Sequence, residues 1–377
     1  SDLDGDGAVD AAVANLIGGS ISLLRNVGSG VLQPAGGVAT VGSPFALEIA
    51  DVDRDGDPDL VVAAIDPDGV RVHWNDGSGA FPTSDDAGAS GMPLDVALAD
   101  VDRDGDLDIL SVDSGNDRVE VLRWDPDAGF SSGGTYATGA TPIQVFPWDL
   151  TGDGWIDVAS ADYGSGTLSI LENAGNGTFL APATTLATGD LPRGIWGADV
   201  TGDGRLDLVA ANSGGDDLEL FRNLGGGSFD QGTSIPVGPT PYSVAGGDWN
   251  GDGRVDLVSV NRSSGDVTIL VNGSATGAGP SLAAVAATSL LGSQPNPFRE
   301  DVSIRLDLAR AMPVGLRIFD LQGRAVATIH DGPLPPGAHR LRWDGRDGGG
   351  LPVATGVYFV RMESPEGRWT RKILRMQ

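Results

Sequence analysis

Hydrophobic and polar positions recur along the chain with a period near 49 residues, and each period reads as the same series of short extended segments. A proline opens an alternating stretch, such as PLDVALA from Pro93, and an aspartate-rich nonapeptide begins seven residues after it. An apolar run follows, such as DLVVAAI from Asp59, of the right length for one buried strand. After a glycine-containing turn comes a third segment (VRVHWN, LSILEN, LELFRN or VTILVN), and several periods then carry an N-x-G-x-G-x-F turn, as in Asn75 to Phe81 and Asn173 to Phe179. A less regular fourth segment completes the unit. Four short strands in about 50 residues predict a propeller blade, since parallel β-helix solenoids use much shorter periods.

The nonapeptide fixes the beat. It begins at Asp2, Asp51, Asp100, Asp149, Asp199 and Asp248, with spacings of 49, 49, 49, 50 and 49 residues. Prolines precede all but the first copy: Pro44, Pro93, Pro142, Pro192 and Pro241. The first repeat therefore lacks the strand before its motif. Three ways of completing it stay open: residues 280–288 (PSLAAVAAT) return to close the ring, the natural chain extends into a seventh blade, or another molecule donates the strand.

Within each nonapeptide, positions 1, 3, 5 and 9 carry oxygen side chains and position 6 is glycine. The candidate ligands are Asp2, Asp4, Asp6 and Asp10; Asp51, Asp53, Asp55 and Asp59; Asp100, Asp102, Asp104 and Asp108. They continue with Asp149, Thr151, Asp153 and Asp157; Asp199, Thr201, Asp203 and Asp207; Asp248, Asn250, Asp252 and Asp256. Short oxygen ligands at alternate positions can wrap one hard cation while the glycine permits the turn, and calcium tolerates such flexible sets better than magnesium. Position 7 is expected to add a backbone carbonyl, which leaves its side chain free to vary. Asp-Gly turns without metal are common, but 21 carboxylates at these offsets would repel one another without cations. About six calcium ions are expected, bound more weakly in the last three loops, where Thr and Asn lower the charge. Affinities of ~10⁻⁵ to 10⁻³ M suit millimolar calcium outside the cell. An EF-hand is excluded, because position 12 is Val13, Val62, Ser111, Ser160, Ala210 and Ser259 rather than Glu.

Composition sharpens this picture. The net charge of -28 is uneven: residues 290–377 hold 13 Lys+Arg against 9 Asp+Glu, the preceding part 11 against 43. Two domains with different tasks follow, and the acidic one would repel nucleic acid and anionic lipid. With no cysteine there is no disulfide or thiolate chemistry, and no apolar run is long enough for a membrane-spanning helix. The chain opens on Ser1, which suggests processing or a fragment.

From Gln294 the pattern changes to VSIRLDL, VGLRIFD, RAVATIH, HRLRWDG, GVYFVRM and WTRKILRM, with turns at residues 321–324 and 348–350. Six or seven strands in this length suggest an Ig-like sandwich, with Trp343, Tyr358 and Phe359 in or near its core. The chain thus reads as all-β: a β-propeller over 1–272 (six blades favoured, seven allowed), a linker over 273–293, and a β-sandwich over 294–377.

The D-x-[DTN]-x-D-G-x-x-D loop on a blade-length repeat resembles the FG-GAP/VCBS family, the calcium-bearing propeller repeats of integrin α-subunits and many bacterial surface proteins. The resemblance implies a calcium-rigidified propeller that presents loops to a ligand. In the C-terminal part, the NPF at Asn296–Phe298, then IFDLQGR, WDGRDGGGLPVATGVYFVRM and RKILRM resemble the sorting domain of type IX secretion and the Ig-like domain of flagellar hook-capping proteins. Export across the outer membrane of a Gram-negative bacterium is what the first of these implies. Such sorting domains are generally removed, so a retained one is either unprocessed or structural.

No catalytic constellation appears. His73 lies in a strand segment, His330 and His339 flank a loop, and no nucleophile elbow, metalloprotease motif or phosphate loop is present. The aspartates are accounted for as ligands. A non-enzymatic module is therefore expected: an adhesion or ligand-binding propeller for a glycan or surface protein. One alternative is a structural subunit that polymerises by strand donation; another is a polysaccharide-lyase-type propeller. Trp155, at the variable seventh position, is expected to face solvent as a candidate ligand contact, whereas Trp148, Trp196 and Trp249 are expected in the core.

Overall fold

The computed structural model describes residues 1–28, 31–273, 281–285, 289–294, 296–308, 311–335, 337–365 and 367–376. It is built of strands with no helix among the described residues. The chain separates into two compact units, one with Ser1–Gly265 as its body, the other holding Asp266–Gly273 and Leu282–Gln377.

Each repeat forms its own antiparallel meander. The second repeat runs Ser43–Ala50, Asp59–Ile65, Gly69–Trp74 and Thr83–Asp86, each paired with the next. The third to sixth repeats give four-stranded sheets in the same order, the fifth with an added hairpin of Asn223–Gly225 and Ser228–Phe229. The proline that opens each inner strand has no N–H to give, and the pairing slips at that point in all five cases, as between Pro44 and Ala46. Beyond the slip, the register is regular.

In the second to fifth repeats the apolar runs become second strands buried on both faces. Every residue of Asp108–Asp113, Asp157–Asp162 and Asp207–Asn212 is buried. Neighbouring sheets share cores: Val61, Val72, Val96, Ile109 and Leu122 pack together between the second and third repeats. Each such side chain contributes about 1.5–3 kcal/mol by leaving water. The inner strands of successive repeats pack side by side and together line one central cavity of about 480 Å³. This convergence of sheets on an axis is the propeller arrangement that the repeat length implied.

The first sheet has three strands, Ala11–Asn15, Ser20–Asn26 and Leu32–Ala39. Its missing inner strand leaves Val13 44% exposed where the equivalent Val62 is 1% exposed. The ring-closing role open to residues 280–288 is corrected by the topology: Ser281–Val285 lies beside Asp266–Gly273 as the fourth strand of the sixth sheet. The meander there simply continues into its next strand, as in the other repeats. Residues 280 and 286–288 lie outside the described residues.

The second unit is a sandwich of a three-stranded sheet (Ser289–Gln294, Val302–Leu308, Gly337–Trp343) and a four-stranded one (Ala325–Leu334, Met312–Phe319, Gly356–Ser364, Gly367–Arg375). Ser289–Gln294 pairs with Val302–Leu308, so the expected linker ends earlier than residue 293. Its Gly and two Ser residues weaken the strand signal in sequence. Alternate residues of the facing strands fill the core, among them Ile304, Leu316 and Val360, all 0% exposed. Trp343 and Tyr358 are buried there with ring centroids 5.4 Å apart, and Phe359 is half-buried.

Candidate metal-binding loops

All six nonapeptides fold as the same loop between an inner and a second strand, except that the first has no inner strand before it. The position-6 glycine has a φ between +81 and +100, a region that disfavours any side chain, and its N–H donates to Oδ2 of the position-1 aspartate at 2.7–3.1 Å. Position 5 accepts the N–H of position 7 through Oδ1 at 2.8–3.0 Å. These local bonds curl the loop, bringing positions 1, 3 and 5 together in the first and positions 1, 3 and 9 in the second and third. In three loops the carboxylate oxygens converge: Asp2, Asp4 and Asp6; Asp51, Asp53 and Asp59; Asp100, Asp102 and Asp108, each set within 4.8 Å.

Position 9 is the root of the loop. Asp59 is 1% exposed, with Oδ2 accepting from Val52 N at 3.0 Å and Oδ1 from Asn75 N at 2.9 Å. Asp157 is held the same way by Leu150 N, Thr151 N and Asn173 N. Burial pushes Asp59 up to about 6 and Asp108 up to about 7, against these backbone bonds, while neighbouring loop carboxylates raise them further.

The loops differ at position 1. Where position 3 is Thr or Asn, Oδ1 of Asp149, Asp199 and Asp248 accepts two N–H groups, from positions 4 and 5. In the second and third loops, Oδ1 of Asp51 and of Asp100 is buried with no hydrogen-bond partner, and Thr151 Oγ1 in the fourth is in the same state. A buried oxygen without a donor is costly, and each of these is at a position the sequence assigned to a ligand. Donors here are all oxygen, with no His or Cys, so the set fits a hard cation.

Several neighbours were not read from sequence. The side chain of Asn75 donates to Pro58 O in its own loop and to Leu3 O in the loop before, both at 2.9 Å. Asn173 and Asn223 repeat the pattern with Ile156 O and Val101 O, and with Leu206 O and Leu150 O. Each also caps its own turn, as when Gly175 N and Gly177 N donate to Asn173 Oδ1. A Cβ on Gly177 would lie 2.4 Å from Asp102 Cβ, so that turn seats directly behind the preceding loop. The Asn of the N-x-G-x-G turn was the available signal, but nothing in the sequence said what it touches.

Position 7 is less free than expected. Arg205 and Arg254 pair with Asp203 and Asp252 of their own loops at 2.5 Å. Arg54 reaches Asp106 of the next loop at 3.0 Å, and Arg103 lies over Trp155 at 4.2 Å from the ring centroid. Trp155 is therefore half-buried under a guanidinium rather than open to solvent. The opposite correction applies to Trp148 and Trp249, which are 51% and 52% exposed, while Trp196 lines the central cavity. Trp148 is the last residue of its strand, paired with Asp157, and stacks on Phe146 beside the cavity.

Comparison with known proteins agrees with the repeat organisation and the C-terminal sandwich. A family model for the FG-GAP-like repeat matches residues 2–62, 51–111, 149–210 and 199–259, and one for the FlgD Ig-like domain matches residues 296–367. No curated protein gives a match. Similar solved structures include a candidate 6-phosphogluconolactonase from Bacteroides uniformis (13% identity, TM-score 0.54, covering 87% of this chain and 98% of that one). Another such candidate, from Bacteroides fragilis, has 15% identity and a TM-score of 0.53, over 87% and 96% of the two chains. A functionally unknown protein from Desulfotomaculum acetoxidans has 12% identity and a TM-score of 0.51, over 88% and 99%. At such identities the likeness is one of fold.

Proposed function

The chain belongs to the FG-GAP-like repeat family, and from that premise we propose that it is a calcium-binding propeller acting outside the cell as an adhesion or ligand-binding module. One observation carries the calcium reading: Asp51 Oδ1 and Asp100 Oδ1 are buried without a partner among converging carboxylates. In each loop, positions 1, 3, 5 and 9 would hold the ion, together with the position-7 carbonyl. Bound there, calcium supplies positive charge and further oxygen coordination. The loop's own residues keep the carboxylates converged, and Asn75, Asn173 and Asn223 pass that order to the neighbouring repeat. FG-GAP-like repeats imply no enzyme activity, and the aspartates serve as ligands rather than as an acid–base pair. Exposed Trp148 and Trp249 offer faces on which a sugar can stack. The Ig-like domain, in this reading, is an export signal of the type IX kind that also serves the finished protein.

A second reading is favoured by one feature. The unpaired edge of Ala11–Asn15, with Val13 exposed, suits strand donation by a neighbouring copy, which would make the chain a building block of an extracellular assembly. Sedimentation of the purified protein in millimolar calcium and then in chelator tests both. A 38.5 kDa monomer that loses its folded transition in chelator supports the binding module. Large calcium-dependent assemblies support the building block. Identical behaviour with and without chelator, at any mass, refutes the calcium reading.

A further inference from the structure

Arginines of the acidic repeat region are almost all committed. Of the 11 between residues 1 and 272, eight form ion pairs with carboxylates and Arg103 is held against Trp155. The remaining two, Arg193 and Arg262, have no ion pair among the described residues, and both converge on Tyr242. The guanidinium carbons lie 4.4 and 5.7 Å from that ring centroid, and Arg193 is also 5.1 Å from the ring of Tyr163. Arg193 and Tyr242 follow the prolines that open the fifth and sixth inner strands, so the cluster sits at the strand ends remote from the nonapeptide loops. Arg262 and Tyr242 are exposed, and Arg193 and Tyr163 are half-buried.

We propose that this cluster is a binding site for an acidic sugar, a saccharide whose carboxylate or sulfate group lies between Arg193 and Arg262 while its ring packs on Tyr242. It deepens the ligand-binding reading above and rests on it, but uses none of the calcium-loop residues. Two cations held on one ring in a region of net negative charge keep their guanidinium donors unspent, and the planar fork matches an oxyanion in two-point contact. The tyrosine faces give apolar surface for the C–H side of a pyranose. An acidic peptide fits less well. Pro192 and Pro241 offer no N–H, Leu191 O already accepts from Ser213 N, and Thr240 O from Arg262 N, so no backbone ladder is open. Densely charged polyanions are disfavoured by the surrounding carboxylates, which leaves a ligand with one anionic group at the contact.

The test is calorimetric titration of the full chain in calcium with galacturonate trisaccharide, a monosulfated galactose trisaccharide, the neutral galactose trisaccharide and a Glu-containing tetrapeptide. Saturable binding of one or both acidic sugars is expected, with the two arms telling carboxylate from sulfate. Arg193→Gln and Arg262→Gln should each weaken it about tenfold or more, the equivalent of about 1.4 kcal/mol. A wild-type protein that binds neither acidic sugar, or binds the neutral sugar or the peptide as well, overturns the proposal without any variant. So does binding that both substitutions leave unchanged at wild-type thermal stability. The calcium response of the same samples is read separately by melting, so loss of that response with sugar binding intact would count against the calcium reading alone.

Discussion

Replacing Asp95 by Asn should stabilise the protein at pH 8 and do little at pH 4. Asp95 lines the central cavity, where its Oδ2 accepts the N–H of Val145 from the next inner strand at 3.0 Å. Burial pushes its carboxyl up to about 7; the Val145 bond opposes this, and Glu48 across the cavity adds to it. The equivalent residue one repeat on is Gln144, whose neutral Oε1 accepts Ile195 N at 2.7 Å. An amide thus performs the same stitch without a charge. Because the folded carboxyl titrates above its unfolded value of 3.8, the folded state binds the extra proton between those values. Stability contributed by neutral Asp95 is full below about pH 4, falls as pH rises to about 7, and stays lost above it. A shift of about three units sets a ceiling near 4 kcal/mol, and the partial exposure of Asp95 reduces this to about 1–2 kcal/mol. Asp95→Asn should therefore raise the melting temperature at pH 8 by about 2–8 °C, and the gain should vanish at pH 4. Scanning calorimetry in excess calcium at both pH values measures it. A variant that melts at or below wild type at pH 8, or gains equally at both pH values, would refute the reasoning.

Two further substitutions probe other parts of the chain. Asn173→Ala removes the donors to Val101 O and Ile156 O and the acceptor for Gly175 N and Gly177 N, and should cost about 2–4 kcal/mol in urea unfolding. The exposed neighbour Asn176→Ala should cost under about 1 kcal/mol, and equal losses at both sites would deny Asn173 its bridging role. In the sandwich, Leu316→Ala opens a cavity at a fully buried site and should cost about 2–5 kcal/mol; a urea midpoint within error of wild type would place Leu316 outside the core.

Much of the fold was legible because spacing does not depend on side-chain detail. The prolines, the glycine at position 6 and the apolar runs mark three fixed points in every repeat but the first, and the meander follows from joining them. Ring closure by residues 280–288 stands among the three open completions because their Pro-led pattern resembles an inner strand, while chain connectivity makes Ser281–Val285 the fourth strand of the sixth sheet. The tryptophans depart from expectation for a related reason. Trp249 stands where the other loops bury Leu3, Val52, Val101, Leu150 and Val200, and nothing in the motif says that this one turns outward. Trp155 would be open to solvent in an isolated loop; the arginine that covers it comes from the preceding repeat.

That last contact belongs to a general arrangement. Arg54 and Arg103 each reach from position 4 of one loop to the next loop, while Asn75, Asn173 and Asn223 reach back from one repeat to the loop before it. Links in both directions mean that none of the first five loops relaxes alone. A disordered third loop would free Val101 O from Asn173, release the turn behind Asp102, and loosen Asn173 N from Asp157 at the root of the fourth. Order in one loop is thus a condition for order in its neighbours, and ions bound at separate sites would stabilise the repeats cooperatively. This explains why a repeat sequence can tolerate Thr151, Thr201 and Asn250 at position 3: all three loops close through two N–H bonds to position 1, and those of Thr151 and Thr201 draw further order from the repeats beside them.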